Sequence, residues 1–287
     1  TSDAHQFSDT MKSCALADSP YHQLVSSDWA QVELRILAGL AKQEDLIELE
    51  SDPGVDIHRA ILSIIQKLPM YMISEEMRKS GKSVNFGVVY GMSEYGLALR
   101  DFGPSYTKEN LNEERKKITD FFNGLPMVKM FIKTNEDNMK KNGYVKTAFN
   151  YYRYFPELLD PTCDPKLVKR MLRAGGNTPI QGTGAQMLKI VEKNIWEYIR
   201  KKGWDKEVDY DGVMLPIARM ILPIHDEILF SYDKTRITME EVCAMFKECM
   251  QLDIDGMPPF FAAPAFINNW LAGKDPAFEV DAPFRDK

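Results

Sequence analysis

Residues 23–40 read QLVSSDWAQVELRILAGL. Gln23 to Ser27 form a short strand candidate that ends at Asp28-Trp29. Val32, Ile36, Leu37 and Leu40 then recur at helical spacing. A side chain at the C-terminal end of a strand, just before a helix, is exposed and rigidly held. Asp28 is therefore the first candidate for chemistry.

A second candidate lies far downstream. Met220 to Tyr232 contains two apolar runs, Met-Ile-Leu-Pro-Ile and Ile-Leu-Phe, joined by His225-Asp226-Glu227. This predicts a hairpin on a buried apolar scaffold, its apex carrying two carboxylates and an imidazole. Asp28 and Asp226-Glu227, meeting on one sheet, would hold hard divalent cations such as Mg²⁺. Two such metals, roughly 3.5–4 Å apart, clamp the attacking and leaving oxygens of an in-line phosphoryl displacement. Against this stands ordinary turn chemistry, which also favours Asp. Glu33 is by default a helix-start acid favoured by the macrodipole.

From Ala41 to about Val168 the chain reads mostly helical, punctuated by Asp52-Pro53-Gly54, Gly103-Pro104 and Gly124-Leu125-Pro126. A helix from about Ser74 carries Arg78, Lys82, Phe86 and Tyr90, each four residues apart and so on one slowly turning face. Two cations followed by two rings suit a nucleoside triphosphate, with phosphates on the cations and base or sugar on the rings. Lys82 could also protonate a leaving pyrophosphate. Gly81, Gly87 and Gly91 suggest close approach by another group. The plain alternative is a solvated cationic turn followed by core aromatics. His58, in Asp56-Ile57-His58-Arg59, is by itself a surface or capping histidine.

Tyr144 to Pro156 is rich in aromatic and β-prone residues and predicts a hairpin or extended arm. Arg173, Asn177 and Gln181 repeat the spacing of four, with side chains that hydrogen-bond base edges and sugars. Pro179 is expected to end any continuous helix there, and Asn177 or Thr178 to cap the next. Thr238 to Leu252 reads as an amphipathic helix.

With 287 residues, 44% hydrophobic and 27% charged, the chain has globular composition, which excludes a disordered or fibrous protein. No apolar run approaches the roughly 20 residues of a membrane helix, and the first twenty residues lack a signal-peptide core. Membrane and classically secreted classes are set aside, and an intracellular protein is expected. The net charge of −6 argues globally against a nucleic-acid binder. Yet Pro126 to Gly175 carries ten Lys or Arg against five Asp or Glu. Charge is thus segregated, as suits a basic surface beside an acidic site. The four cysteines form no CxxC pair or zinc-like cluster and read as free thiols in a reducing compartment.

Taken together, these segments resemble family A DNA polymerases, the bacterial DNA polymerase I type. DWAQVELR (28–35) is similar to the family's motif A, RKSGKSVNFGVVYG (78–91) to motif B, and HDE (225–227) to motif C. NTPIQGT (177–183) resembles the segment between B and C. One HDE would be weak; four motifs in order over residues 20–235 are specific.

The resemblance implies an α+β fold: a right-hand polymerase palm of antiparallel sheet with an inserted helical fingers subdomain. The first part of the palm would be residues 1–40, the fingers 41–168 and the second part of the palm 169–287. The thumb and any exonuclease portion are expected upstream or on another chain, absent here. The implied activity is template-directed addition of dNMP from dNTP to a primer 3′-hydroxyl. Asp28 and Asp226 would be the metal-binding catalytic carboxylates, helped by the Trp29 carbonyl and Glu227, with two Mg²⁺ ions or Mn²⁺ in their place. Gln31, Glu33, His58, Arg78, Lys82, Phe86 and Tyr90 would surround the dNTP, Glu33 excluding a ribose 2′-hydroxyl and Lys82 donating a proton. Arg173, Asn177, Gln181 and His225 would touch primer–template DNA. Trp29 stands where Tyr or Phe is more usual. Two neighbouring readings remain open, a single-subunit RNA polymerase and a catalytically silent module that binds a partner.

Overall fold

The quoted stretch folds into strand β1 (His22–Trp29) followed by helix α1 (Val32–Ala41). The computed structural model describes Thr10 and residues 12–89, 91–267 and 269–270, without the side chains of Phe86, Val88 and Val89. Between strand and helix, Gln31 adopts the left-handed region at φ 54°, which lets the chain reverse within two residues.

β1 lies inside a four-stranded antiparallel sheet of order β6-β7-β1-β8, with β6 at Ala218–Ile224, β7 at Glu227–Asp233 and β8 at Ala262–Ile267. Alternation assigns its faces. Val25 and Trp29 of β1, Phe230 and Tyr232 of β7, and Phe266 of β8 face the main core. Leu24, Leu229, Ala265 and Ile267 form a second cluster on the other side. Trp29 is the anchor of the first face: its indole is 2% exposed and its N–H donates to the Met250 carbonyl at 2.9 Å. The larger ring at this position is thus absorbed by the core.

β6 and β7 form the expected hairpin. Ile224 pairs with Glu227, so His225 and Asp226 are the whole turn. His225 takes positive φ (55°), as primed hairpin turns require at their first central residue. One expectation is corrected. β6 is an edge strand, not a buried one, with Leu222 and Pro223 exposed, because no further strand among the described residues pairs with its outer side.

The chain from α1 onward passes through α2 (Glu44–Glu50), α3 (Ile57–Gln66), α4 (Glu75–Val89), α5 (Glu94–Phe102), α6 (Lys108–Gly124) and α7 (Pro126–Asn142). Leu46, Ile61, Val84, Phe121 and Val128 from these helices join the same core cluster as the sheet. A small hairpin follows, β2 (Tyr144–Lys146) and β3 (Tyr152–Tyr154), where an arm or hairpin was expected. A second two-stranded sheet pairs β4 (Glu207–Tyr210) with β5 (Val213–Pro216).

Pro179 does not end a helix. It lies inside α8 (Pro165–Lys202), whose N-cap is Asp164 and not Asn177 or Thr178. A proline removes one backbone donor and crowds the carbonyl four residues earlier. Here that residue is Gly175, and packing outweighs the local cost: Met171, Thr178, Ile180, Thr183 and Met187 are all buried along the helix. The helix α9 (Met239–Met250) begins with a capping box between Thr238 and Glu241. All four cysteines are free, Cys249 buried and Cys243 half-buried.

Candidate active site

A cavity of about 660 Å³ opens where β1, α1, α8 and the β6–β7 turn converge. Asp28, Trp29, Gln31 and Glu33 line it from the strand-to-helix junction, Gln181 from α8, and His225 and Asp226 from the hairpin apex. The two acids singled out from opposite ends of the sequence thus face one space. Each acid sits beside a tight turn, with the left-handed Gln31 following Asp28 and the left-handed His225 preceding Asp226.

Glu227, next to Asp226, is engaged elsewhere. Its Oε1 accepts hydrogen bonds from Ser26 Oγ at 2.5 Å and Trp270 Nε1 at 2.9 Å, and it is not among the residues lining the cavity.

His58, Arg78 and Lys82 form a second group on α3 and α4, outside the cavity lining. Arg78 is ion-paired with Asp56 and, at 3.3 Å, with Glu75. Asp56 caps α3 by accepting from His58 N and Arg59 N. Burial works to raise the Asp56 carboxyl, yet the Arg78 and Arg59 hydrogen bonds hold it below the usual range. The His58 ring is buried, and Asn85 Nδ2 lies 3.2 Å from its Nδ1. Burial, with Lys82 and Arg78 adding positive charge, pulls His58 down to about 4 despite Asp56. It is therefore neutral at pH 7, and Lys82 is exposed beside it. Asp56 and Asn85 were not singled out from sequence. An Asp directly before the first residue of an apolar-periodic helix was a usable capping signal for Asp56, whereas nothing local marked Asn85.

The helix α4 does carry the expected spacing of four, and its glycines do mark close approach. The approaching groups are the protein's own leucines. A Cβ on Gly81 would sit 2.6 Å from Leu62 Cδ1, and one on Gly87 2.4 Å from Leu97 Cδ2. Gly91, at φ 64°, meets α8: a Cβ there would lie 3.4 Å from Arg173 Cγ and 3.9 Å from Asn177 Oδ1. Because α8 is continuous, Arg173, Asn177 and Gln181 recur at helical spacing along one face. The Phe86 side chain and Tyr90 lie outside the described residues.

No group of three or more His, Cys, Asp or Glu forms a metal cage among the described residues. Three partly exposed carboxylates face the cavity, Asp28, Glu33 and Asp226, of which Asp28 lies at the end of β1 and Asp226 sits at the hairpin apex. This fits Mg²⁺, which retains several waters and takes one or two protein carboxylates plus substrate phosphates instead of a closed protein shell.

Comparison with known proteins gives the family and the fold. The family model described as DNA polymerase family A matches residues 3–258. The thermostable DNA polymerase I of Thermus thermophilus is 32% identical over 252 residues, spanning 88% of this chain and 27% of that protein. The DNA polymerase I of Geobacillus stearothermophilus is 31% identical over 232 residues, spanning 79% and 23%. Among solved structures, the POL domain of Pol1 from M. smegmatis, in complex with DNA primer-template and dNTP, superposes with a TM-score of 0.76 at 25% identity. That match covers 92% of this chain and 43% of the other. The chain therefore spans about a quarter of the length of the curated relatives it matches.

Proposed function

The chain belongs to DNA polymerase family A, and from that premise we propose that it catalyses template-directed DNA synthesis. The observation that carries the reading is the convergence of Asp28 and Asp226 on one cavity whose remaining walls include Glu33, Gln181 and His225. The substrates would be a primer–template and a dNTP.

In this reading residues 1–40 and 169–287 form the palm and residues 41–168 the fingers. Family A DNA polymerases are generally metal-dependent. Asp28, Asp226 and the Trp29 carbonyl would hold two Mg²⁺ ions, or Mn²⁺ in their place, with Glu227 in support. When bound, such ions stabilise the charge on the transferring phosphoryl group. The primer 3′-oxygen attacks the α-phosphorus of the dNTP, and the bond to pyrophosphate breaks. The chain's own residues orient this displacement. Glu33, at the first turn of α1, faces the sugar and leaves no room for a 2′-hydroxyl. Gln31 and the cationic pair Arg78 and Lys82 receive the triphosphate, Lys82 giving a proton to the departing pyrophosphate, with His58 beside them and Phe86 and Tyr90 at the base. In this role the triphosphate lies between the palm cavity and the α3–α4 group of His58, Arg78 and Lys82. Arg173, Asn177, Gln181 and His225 meet the primer–template. A thumb and exonuclease portion would come from further sequence or another chain. An intracellular role goes with the family reading, and no helix among the described residues is long and apolar enough to cross a membrane.

Primer extension with Mg²⁺ tests the reading. Asp226→Ala is expected to fold normally and to abolish incorporation; appreciable residual synthesis would defeat the assignment.

A further inference from the structure

Away from the cavity, the outer face of the β2–β3 hairpin has a chemistry that nothing above uses. Pairing sets Tyr144 opposite Tyr154 and Lys146 opposite Tyr152, and opposed residues share a face. The rings form a ladder. Tyr144 lies 5.2 Å from Tyr152 and 6.0 Å from Tyr154, while Tyr152 and Tyr154 are 6.2 Å apart with planes inclined by only 20°. Tyr154 is 69% exposed and Tyr152 42%.

The opposite face is fastened down. Val145 is buried with Met139, Phe155 and Met171. Arg153 donates to Thr178 Oγ1, and the Ala148 N–H donates to Thr183 Oγ1. The hairpin is thus a rigid extension of α8, the helix that also brings Gln181 to the cavity. Cross-strand tyrosine pairs stabilise a hairpin by themselves, but that does not require Tyr152 and Tyr154 to stay exposed. Nor does it explain the cations: exposed Lys146 shares the ladder's face, and the elements that flank the hairpin carry exposed Lys140 and Lys141 at the end of α7 and Lys169 and Arg170 on α8.

We propose that this face is a stacking platform for single-stranded DNA, the unpaired template ahead of the cavity. Unpaired bases expose ring faces that tyrosines can stack on whatever the sequence, and cations beside the rings track the phosphates. Bases within a duplex hide those faces, so the platform selects the unpaired strand. That the strand is template rests on the polymerase reading; the binding itself does not.

The test is equilibrium binding by fluorescence anisotropy in EDTA, so that no catalysis is needed. One labelled probe is a primer–template with a long 5′ template overhang, the other the same duplex with blunt ends. The pair Tyr152→Ala and Tyr154→Ala is expected to weaken overhang binding roughly tenfold and to leave blunt-duplex affinity unchanged. The pair Tyr152→Phe and Tyr154→Phe is expected to bind as the unaltered chain does, since stacking needs the ring and not the hydroxyl. Should the alanine pair melt early, Tyr154→Glu carries the same test at an exposed position. Equal effects on both probes, no loss with alanine, a phenylalanine pair as weak as alanine, or loss of self-association in place of DNA binding would each overturn the proposal. Failure of primer extension alone would sink the catalytic reading and leave this binding result standing.

Discussion

Ser26 donates its hydroxyl to Glu227 at 2.5 Å, from the middle of β1 to the first residue of β7. With Trp270 on the same carboxylate oxygen, this ties Glu227 to the sheet while Asp226, one residue earlier, faces the cavity. Two adjacent acids thereby differ in their surroundings, one tied to the sheet and one facing the cavity.

Their variants should separate too. Glu227→Ala leaves the Ser26 hydroxyl and the Trp270 N–H without their charged acceptor, and is expected to lower stability by about 1.5–3 kcal/mol. Its effect on primer extension should be far smaller than that of Asp226→Ala. Denaturant midpoints alongside incorporation rates check this; a Glu227→Ala protein that is fully stable but inactive would reverse the two roles.

Glu33 stands on the cavity wall at the first turn of α1. If its side chain closes the space beside the sugar C2′, Glu33→Ala should admit ribonucleotides. The ratio of kcat/KM for dNTP over NTP is then expected to fall by at least an order of magnitude, since steric exclusion is lost while deoxynucleotide contacts remain. Unchanged sugar discrimination would remove Glu33 from this role.

Two buried groups give stability a pH dependence of opposite sign. His58 is pulled down to about 4 by burial and by Lys82. Its neutral form contributes stability above the unfolded value near 6.5, and this is lost as pH falls toward 4. Burial pushes Glu50 up to about 8 against the opposing charge of Arg35. Its protonated form contributes fully below the unfolded value near 4.5, and this is lost as pH rises through 8. Between pH 6.5 and 8 only Glu50 acts, so stability should decline with pH there and Glu50→Gln should flatten the decline. Urea unfolding at several pH values decides; an unaltered slope would show that the Glu50 carboxyl is ionised in the folded protein.

Glycine substitutions should follow the space around each Cβ. At Gly39 a methyl would lie 2.9 Å from both the Met257 Cα and the Gly256 carbonyl oxygen, backbone atoms that cannot rotate away. Gly39→Ala is expected to destabilise by about 1–3 kcal/mol. At Gly176, inside α8, nothing lies within 4 Å, and Gly176→Ala should gain up to about 1 kcal/mol of helix propensity. Thermal melting compares the two; equal shifts would contradict the packing described for α1.

The parts of the fold legible in sequence are those where local pattern and tertiary demand agree. The β1–α1 junction and the hairpin bearing His225-Asp226 follow directly from their apolar spacing. Pro179 misled because a local rule was applied where burial of Ile180, Thr183 and Met187 holds the helix together. The glycines of α4 showed that something approaches, but Leu62 and Leu97 lie on other helices, and no local signal names them. Likewise, Arg78 read as a cation for phosphates, yet it is paired with Asp56, on the N-terminal cap of a different helix.

In the proposed reaction Asp28 and Asp226 act as one unit, and a double-mutant cycle on metal-dependent, single-turnover dNMP incorporation measures their coupling. Each alanine variant alone should lose several orders of magnitude, and the double variant should be scarcely worse than the poorer single one, as for groups that work only together. Losses that multiply across the cycle, or a single variant that keeps most of its rate, would contradict the account.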